Sequence, residues 1–567
     1  MVPSCRLAAR SRGVRGGFLH KPWSGIHLPT LSLAVAVLVL VGVVGGFATR
    51  SERPPSFESQ LCALPRPWLI RTQRGYSPAR SGQIAILPRY PAYLGTAEGG
   101  WSHSGPWGYL QRVPLVFNGP EVIREPQEVT HPVTLADVAP TLMTSLRGFF
   151  RTEDGESLDE VIKVGPRLVG SEPPRLILVT VWDGGGWNTL ERWPDSWPNL
   201  KRAMETGVTF SNATVGSSPS VTPSVHTTLG TGVFPWTHGI TGIPVRDETG
   251  KVVDAFLDGE SKRFMDHIAL AERWDEHKDN RALVGMLGYE PWHLGMIGVG
   301  AEVATGDKDD AVWLDRKTNE WITNESHYEL PQPVLETSGL ADDITQLDAQ
   351  DGATDGAWGR LSILEDRDRQ EETPAFVAYH GRALRNLISR SGYGADRVPD
   401  LLFTNFKQID RLGHYFNMSS DEVRQALEAT DEELGLTFDF LDRHVGRGRW
   451  LSVVTADHGQ QPDASDVDGY GIDPKELARD IDEEFGSVTR AVWPTEIFLD
   501  PDATVDPAEV ARWLGTYTLA ENTQRPDTLL RGAGRFDPDD PLFSMAAPSS
   551  LLRSTACGVP GPRPASR

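Results

Sequence analysis

Four pieces of this chain carry residue types that could do acid, base or metal chemistry. Residues 217–240 read SSPSVTPSVHTTLGTGVFPWTHGI, dense in hydroxyls and interrupted by Pro219, Pro223 and Pro235. A hydroxyl is a weak nucleophile at neutral pH and needs a base or a cation beside it. Asp183 is followed by three glycines, Asp410 and His414 share the string DRLGH, and Asp457 and His458 share ADHG. Carboxylate and imidazole together suit zinc, at about 2.0–2.2 Å per ligand. Two such ions about 4 Å apart can clamp the attacking and leaving oxygens of a displacement. Each fragment alone is ordinary. A Ser/Thr/Pro run is often a plain loop, an Asp after a strand often caps a helix, and an Asp-His pair is common on surfaces.

Position is what joins the fragments. Residues 176–181 (LILVTV), 401–405 (LLFTN) and 450–455 (WLSVVT) read as strands without polar alternation. Such strands are buried on both faces, as in a mostly parallel sheet. Asp183, Asp410 with His414, and Asp457 with His458 follow them closely, and open α/β sheets bind ligands beyond the carboxyl ends of their strands. Further strands are expected at 83–87 and 113–117, and helices at 134–146 and 420–440, the latter opened by Ser419 or Ser420. Residues 246–395 are acidic and irregular, with helical pieces at 264–274 and 356–364, and read as an insertion or lid. A small α+β module is expected over 466–545, with helices at 474–485 and 507–514 around a strand at 492–499.

The formal net charge of -23 argues against a nucleic-acid polymer as partner. A 39% hydrophobic composition with 17 Trp allows a large core. The first 25 residues invert the charge balance, with Arg6, Arg10, Arg12, Arg15, Lys21 and no acid. An uncharged apolar run follows at 28–48, and about 20 such residues cross a bilayer. The basic flank keeps segment 1–27 in the cytoplasm and sends the rest outside. A single-pass signal-anchor is therefore expected, with a cleaved signal peptide as the rival. Residues 49–80 read as a linker and 546–567 as a disordered tail. Cys62 and Cys557 would then meet an oxidising compartment, where they could pair or stay free. No Walker A or GxGxxG spacing occurs.

Taken jointly, the motifs resemble the alkaline phosphatase superfamily, in its type I phosphodiesterase/nucleotide pyrophosphatase branch. The resemblance runs from Arg175 to about Gly459. It implies a three-layer α/β/α sandwich with a mostly parallel central sheet. It also implies a nucleophilic threonine nine residues before Thr231-Gly232, which is Thr222. One divalent ion, zinc by preference, would be held by Asp183, Asp457 and His458 and would meet Thr222. The second would be held by Asp410, His414 and a further histidine. Members usually carry that histidine after the DHG element, but no His follows His458 here. The string from His103 through 113–119 (VPLVFNG) to 137–142 (DVAPTL) resembles the segment that normally bears it. A circularly permuted catalytic domain is therefore expected, with His103 as the ligand, segment 81–150 as the displaced part, and 175–245 and 396–465 as the core. Asp463 or Asp466 is the alternative ligand. A second departure is Ile243, which stands where the branch has an Asn contacting phosphate. His226, one helical turn past Thr222, could orient the site.

These implications give a membrane-anchored phosphoester hydrolase acting on a small-molecule or envelope substrate through a phospho-threonine. A transferase of phospho-alcohol head groups and a degenerate binding protein are the alternatives.

Overall fold

The computed structural model describes residues 55–96, 99–103, 105–162, 172–259, 262–298, 308–553 and 557–559. The basic segment and the apolar run at 28–48 lie outside them. Among the described residues no helix is long and apolar enough to cross a membrane.

The strands that build the molecule are β1 (Ile84–Pro88), β2 (Leu115–Asn118), β3 (Gln127–Val129), β4 (Leu176–Trp182), β5 (Val208–Phe210), β6 (Val284–Leu287), β7 (Asp310–Asp315), β8 (Glu320–Ile322), β9 (Asp400–Phe406), β10 (Trp450–Thr455), β11 (Thr489–Trp493), β12 (Glu496–Leu499) and β13 (Phe543–Pro548). Nine of them form one sheet in the order β8-β7-β6-β9-β4-β10-β2-β5-β3. Its centre, β6-β9-β4-β10, is parallel throughout. β2 runs antiparallel between β10 and β5, and β8 runs antiparallel at the edge, so the sheet is mixed.

Alternation along β4 sets the layers. Ile177, Val179 and Val181 pack with Val138, Leu142, Val225 and Leu229, which come from α1 (Val138–Ser145) and α2 (Thr222–Thr231). Leu176 and Leu178 point the other way, toward Phe376, Leu384 and Leu387 of α3 (Pro374–Ser391). Trp182 joins Ile409 and Leu412 of α4 (Gln408–Phe416) and Leu427 of α5 (Asp421–Leu441) on that second side. Each such side chain contributes about 1.5–3 kcal/mol by leaving water. The expected α/β/α layering follows from this pattern.

Several expected boundaries are corrected. Residues 246–395 supply β6, β7 and β8 to the main sheet, so much of the supposed lid is core; its pattern was obscured because β6 and β8 have only four and three residues. Its first helix spans Leu270–His277, and 356–364 holds a two-residue hairpin instead of a helix. The supposed linker folds into helices at Phe57–Ala63 and Arg66–Arg74, whose Leu61 and Leu69 are buried. The supposed tail begins inside β13, and Cys557 is disulfide-bonded to Cys62. The expected strand at 83–87 lies in a second sheet, β11-β12-β1-β13, so segment 81–150 is shared between the catalytic sheet and the small module.

Glu496 opens β12 and is buried beside Gly82, whose N–H it accepts at 2.7 Å. Burial pushes its carboxyl up to about 7, against the backbone and Ser81 hydrogen bonds and Arg246. A folded-state value above the unfolded one gives stability that is present below about pH 4.5 and lost as pH rises through about 7. The amount at stake is on the order of 3 kcal/mol. Glu496→Gln removes the ionisation, so its melting temperature relative to the parent should climb between pH 5 and pH 8. A constant offset across that range would refute the assignment.

Candidate metal centre and active site

Each chemical side chain stands on an element whose local sequence fixes it. β4 ends at Trp182, and the chain turns through Gly184 at φ 72°, a left-handed conformation suited to glycine. That turn presents Asp183 and lets the Gly184 N–H donate to Asp457 Oδ1 at 3.0 Å. The hydroxyl-rich stretch is not only a loop, because α2 starts at Thr222 and all ten of its residues are buried. Its hydroxyls tolerate burial by bonding back along the helix: Thr227 donates to Pro223 O, Thr228 to Ser224 O and Thr231 to Thr227 O. Gly232, left-handed at φ 71°, ends it. Thr222 thus sits at the positive end of a helix dipole. β9 passes through Lys407 into α4, where Asp410 and His414 share one face at i, i+4.

Three imidazoles are held in one tautomer. Nδ1 of His103 bonds Ser220 O at 2.8 Å, Nδ1 of His458 bonds Gly459 O at 3.0 Å, and Nδ1 of His414 bonds Trp101 O. With Nδ1–H donating, Nε2 is in each ring the nitrogen left to hold a metal, the arrangement metal-binding histidines adopt. His458 Nε2 lies 3.4 Å from Asp183 Oδ1 and 3.3 Å from Asp457 Oδ2. Asp410 Oδ1 lies 3.4 Å from His103 Nε2 and 3.3 Å from His414 Nε2. Tetrahedral donors held about 2.0–2.1 Å from an ion stand about 3.3 Å apart. Asp183 Oδ1, Asp410 Oδ1, Asp457 Oδ2 and His458 Nε2 are buried and make no hydrogen bond. The opposite oxygens are satisfied by protein: Asn405 and Lys407 donate to Asp183 Oδ2, and Lys407 also to Asp410 Oδ2. The donor set and its spacing fit two divalent cations.

The electrostatics point the same way. Three buried carboxylates face one ammonium. Burial, then repulsion from Asp457, raises the Asp183 carboxyl. Burial works against a charged His458, yet Asp457, Asp183 and Asp410 outweigh it and push the imidazole up to about 9. Burial also opposes a charged Lys407, and Asp183, Asp410 and Asp457 outweigh that too, holding it above its ordinary range. His103, buried and beside His458, is lowered well below the usual imidazole value. Divalent cations would supply the missing positive charge and release the His458 proton.

Asp183, Asp457, His458, Asp410, His414 and His103 are therefore brought together. Thr222 joins them through Lys407, whose Nζ lies 2.9 Å from Thr222 Oγ1. Asp463 and Asp466 are not in the cluster, and Asp463 instead pairs with Arg531 at 3.0 Å. His226 Nε2 is 3.6 Å from Asp457 Oδ2 and its Nδ1 meets His293 Nδ1 at 3.1 Å. Sequence reasoning missed Lys407, Asn405 and His293. Asn405 and Lys407 flank the end of an apolar strand, which was the available signal. His293 had none, because it follows a four-residue strand hidden in the irregular region. A cavity of about 700 Å³ opens on this cluster and is lined by His103, Thr222, Ile243, Lys407, Asp410 and His414. Trp292 and Arg316 wall it from the supposed lid, and Arg490 and Trp493 from the small module.

A layered α/β sheet whose strand ends converge on two carboxylate–imidazole clusters beside a helix-terminal threonine defines a hydrolase of alkaline-phosphatase type. A family model for type I phosphodiesterase/nucleotide pyrophosphatase matches residues 176–522, and the chain belongs to that family of metal-dependent phosphoester hydrolases. Alkaline phosphatase PafA of Elizabethkingia meningoseptica is 23% identical over 419 residues, 63% of this chain and 74% of that protein. Alkaline phosphatase PhoV of Synechococcus elongatus is 23% identical over 343 residues, 52% of this chain and 60% of that one. The PafA crystal structure shares the fold with a TM-score of 0.51 at 21% identity, covering 62% of this chain and 77% of that chain. His103 and β2 lie outside the matched residues 176–522, although both belong to the site or its sheet.

Proposed function

We propose that the chain is a membrane-anchored, extracytoplasmic phosphoester hydrolase that works through a phospho-threonine on Thr222. The observation that carries this reading is a hydroxyl at the start of a buried helix, facing the same cavity as His103, Asp410 and His414. Two divalent ions, zinc by preference, on Asp183, Asp457 and His458 and on Asp410, His414 and His103, would neutralise phosphoryl charge and polarise its oxygens. The chain itself supplies positioning, which is most of the work in phosphoryl transfer. The N-terminus of α2 favours negative charge on Thr222 Oγ. The burial of Thr222, 4% exposed, limits competing water on the nucleophile's inner side. Family membership favours diesters or pyrophosphates, and Ile243 leaves that preference to be measured.

The anchor rests on the apolar run at 28–48 and its basic flank. The Cys62–Cys557 bond supports an oxidising compartment for the folded part. The antiparallel pairing of β2 with β10 and the inclusion of His103 in the ligand cluster support a rearranged chain order.

The test compares an aryl phosphodiester with the matching monoester, each with and without a high concentration of a simple acceptor alcohol. Faster diester turnover with inorganic or monoester phosphate as product is expected. A product dominated by phosphorylated acceptor would favour the transferase reading. No turnover of either ester by protein carrying two ions per chain would sink the hydrolase proposal.

A further inference from the structure

We propose that Lys407 is a catalytic residue whose ammonium carries the negative charge of Thr222 Oγ, both when that oxygen attacks phosphorus and when it leaves. This rests on Thr222 being the nucleophile. An ammonium has three N–H donors. Lys407 directs them to Asp183 Oδ2 at 2.9 Å, Asp410 Oδ2 at 2.8 Å and Thr222 Oγ1 at 2.9 Å. With all three engaged and the residue 4% exposed, Nζ is pinned.

The plainer role is a structural counter-ion for buried carboxylates. That role accounts for two of the contacts. It leaves the third, to the hydroxyl, without a purpose, although the side chain borders an open cavity. Nor does the ammonium take a cation's place. It binds the Oδ2 atoms of Asp183 and Asp410, whereas their Oδ1 atoms face the histidine Nε2 atoms and lack hydrogen bonds. Ions on one side of these carboxylates and the ammonium on the other are mutually compatible. Asn405 reinforces the arrangement by donating to Asp183 Oδ2 at 3.1 Å while lying 3.2 Å from His293 Nε2. Ile243, in the same cavity wall, has no side-chain donor to offer. A fixed cation on Oγ is thus the chain's own electrostatic support at the reacting atom.

The chemistry balances without another reagent. Thr222 loses its proton to solvent, and Lys407 stabilises the resulting oxyanion. The Oγ–P bond forms as the bond from phosphorus to the ester oxygen breaks, and the departing oxygen takes its electron pair and then a proton from water. In the second half, a water oxygen bonds to phosphorus and its proton goes to solvent. The Oγ–P bond breaks and returns its pair to Oγ, which Lys407 again stabilises. The net consumption is one water.

Lys407→Met and Lys407→Gln remove the charge at similar length. Loss of a preorganised donor to a developing oxyanion costs about 10²–10³ in kcat. The expected result is that loss in kcat, a KM within about threefold of the parent, and unchanged metal content per chain by elemental analysis. Lys407→Ala should recover at least tenfold (roughly a third to half of the loss on a logarithmic scale) when ethylammonium fills the space. A purely structural counter-ion would not restore the hydroxyl contact in this way. If either variant keeps kcat within about threefold of the parent, the proposal is overturned. It is overturned equally if activity falls only in step with lost ions and ethylammonium restores nothing. Thr222→Ala separates the two readings. Full turnover in that variant removes the nucleophile itself, whereas an inactive Thr222→Ala beside a fully active Lys407→Met removes only the role of Lys407.

Discussion

Thr222→Ala abolishes hydrolysis of an aryl phosphodiester to below about one part in 10³ of the parent while keeping both ions, if the threonine is the nucleophile. The size follows from what is removed. A covalent route splits one difficult displacement into two easier ones, and without Oγ the substrate must wait for direct attack by water. The remaining side chains still bind and orient the phosphoryl group, so residual catalysis over the uncatalysed reaction is expected. Ion retention follows because Asp183 Oδ1 and Asp457 Oδ2 stay 3.4 Å and 3.3 Å from His458 Nε2 without the hydroxyl. The fold is also retained, since α2 is held by Val225 and Leu229 in the core and by Gly232 at its end. Thr222→Ser restores an attacking oxygen and should recover most of the activity. The readouts are initial rates, elemental analysis and, in the parent, acid-quenched mass spectrometry for a phosphate on the peptide containing residue 222. Turnover within tenfold of the parent in Thr222→Ala would falsify the nucleophile assignment.

What the sequence made legible divides along physical lines. Strands buried on both faces announce themselves, because their apolar residues run on without polar alternation. β4, β9 and β10 were readable for that reason, and so was the placement of Asp183, Asp410 and Asp457 at their ends. α5 was readable from its period and its Ser420 cap, whose side chain accepts from the Val423 N–H. Between these strands the rules weaken. β6 has four residues, VGML, too few to show a period, and β7 is separated from it by a 3₁₀ turn and residues outside the described set. Helices 57–63 and 66–74 looked like linker because Pro65 and Pro67 punctuate them, yet proline is well suited to a helix's first turn. β1 looked like part of the catalytic sheet because local pattern says nothing about which sheet a strand joins. The same limit applies to the site. The carboxylate–imidazole motifs could be found by spacing, but Lys407 could not, since a lysine after a strand is most often a solvated end. Its meaning lies in joining the nearby Asp410 to Asp183 and Thr222, which stand 224 and 185 residues away in sequence, beyond any local window.

His103 provides the other large expected effect. Its Nε2 lies 3.4 Å from Asp410 Oδ1, and its ring stacks on His458 with centroids 3.5 Å apart. Its segment is tied to the approach to the nucleophile by two reciprocal bonds: His103 Nδ1 to Ser220 O, and Ser220 Oγ to His103 O, both 2.8 Å. Replacement by alanine would therefore confound loss of a ligand with loosening of the 220 loop. His103→Asn is the sharper change, because its amide N–H can still reach toward Ser220 O while nothing occupies the Nε2 position. With Asp410 and His414 left as the protein donors, the second ion should be lost on dialysis, giving about one ion per chain in place of two, and kcat should fall by about 10²–10³. Rates measured with zinc added back in excess should rise toward the parent, since a weakened site can be refilled by mass action. Thr222→Ala, by contrast, gains nothing from added zinc, so the two defects separate cleanly. Two tightly held ions and parent-like turnover in His103→Asn would mean that the second cation is held elsewhere. The proposed transfer of a ligand-bearing segment to the front of the chain would then lose its main support, because β2 could be explained as an ordinary neighbour of β10.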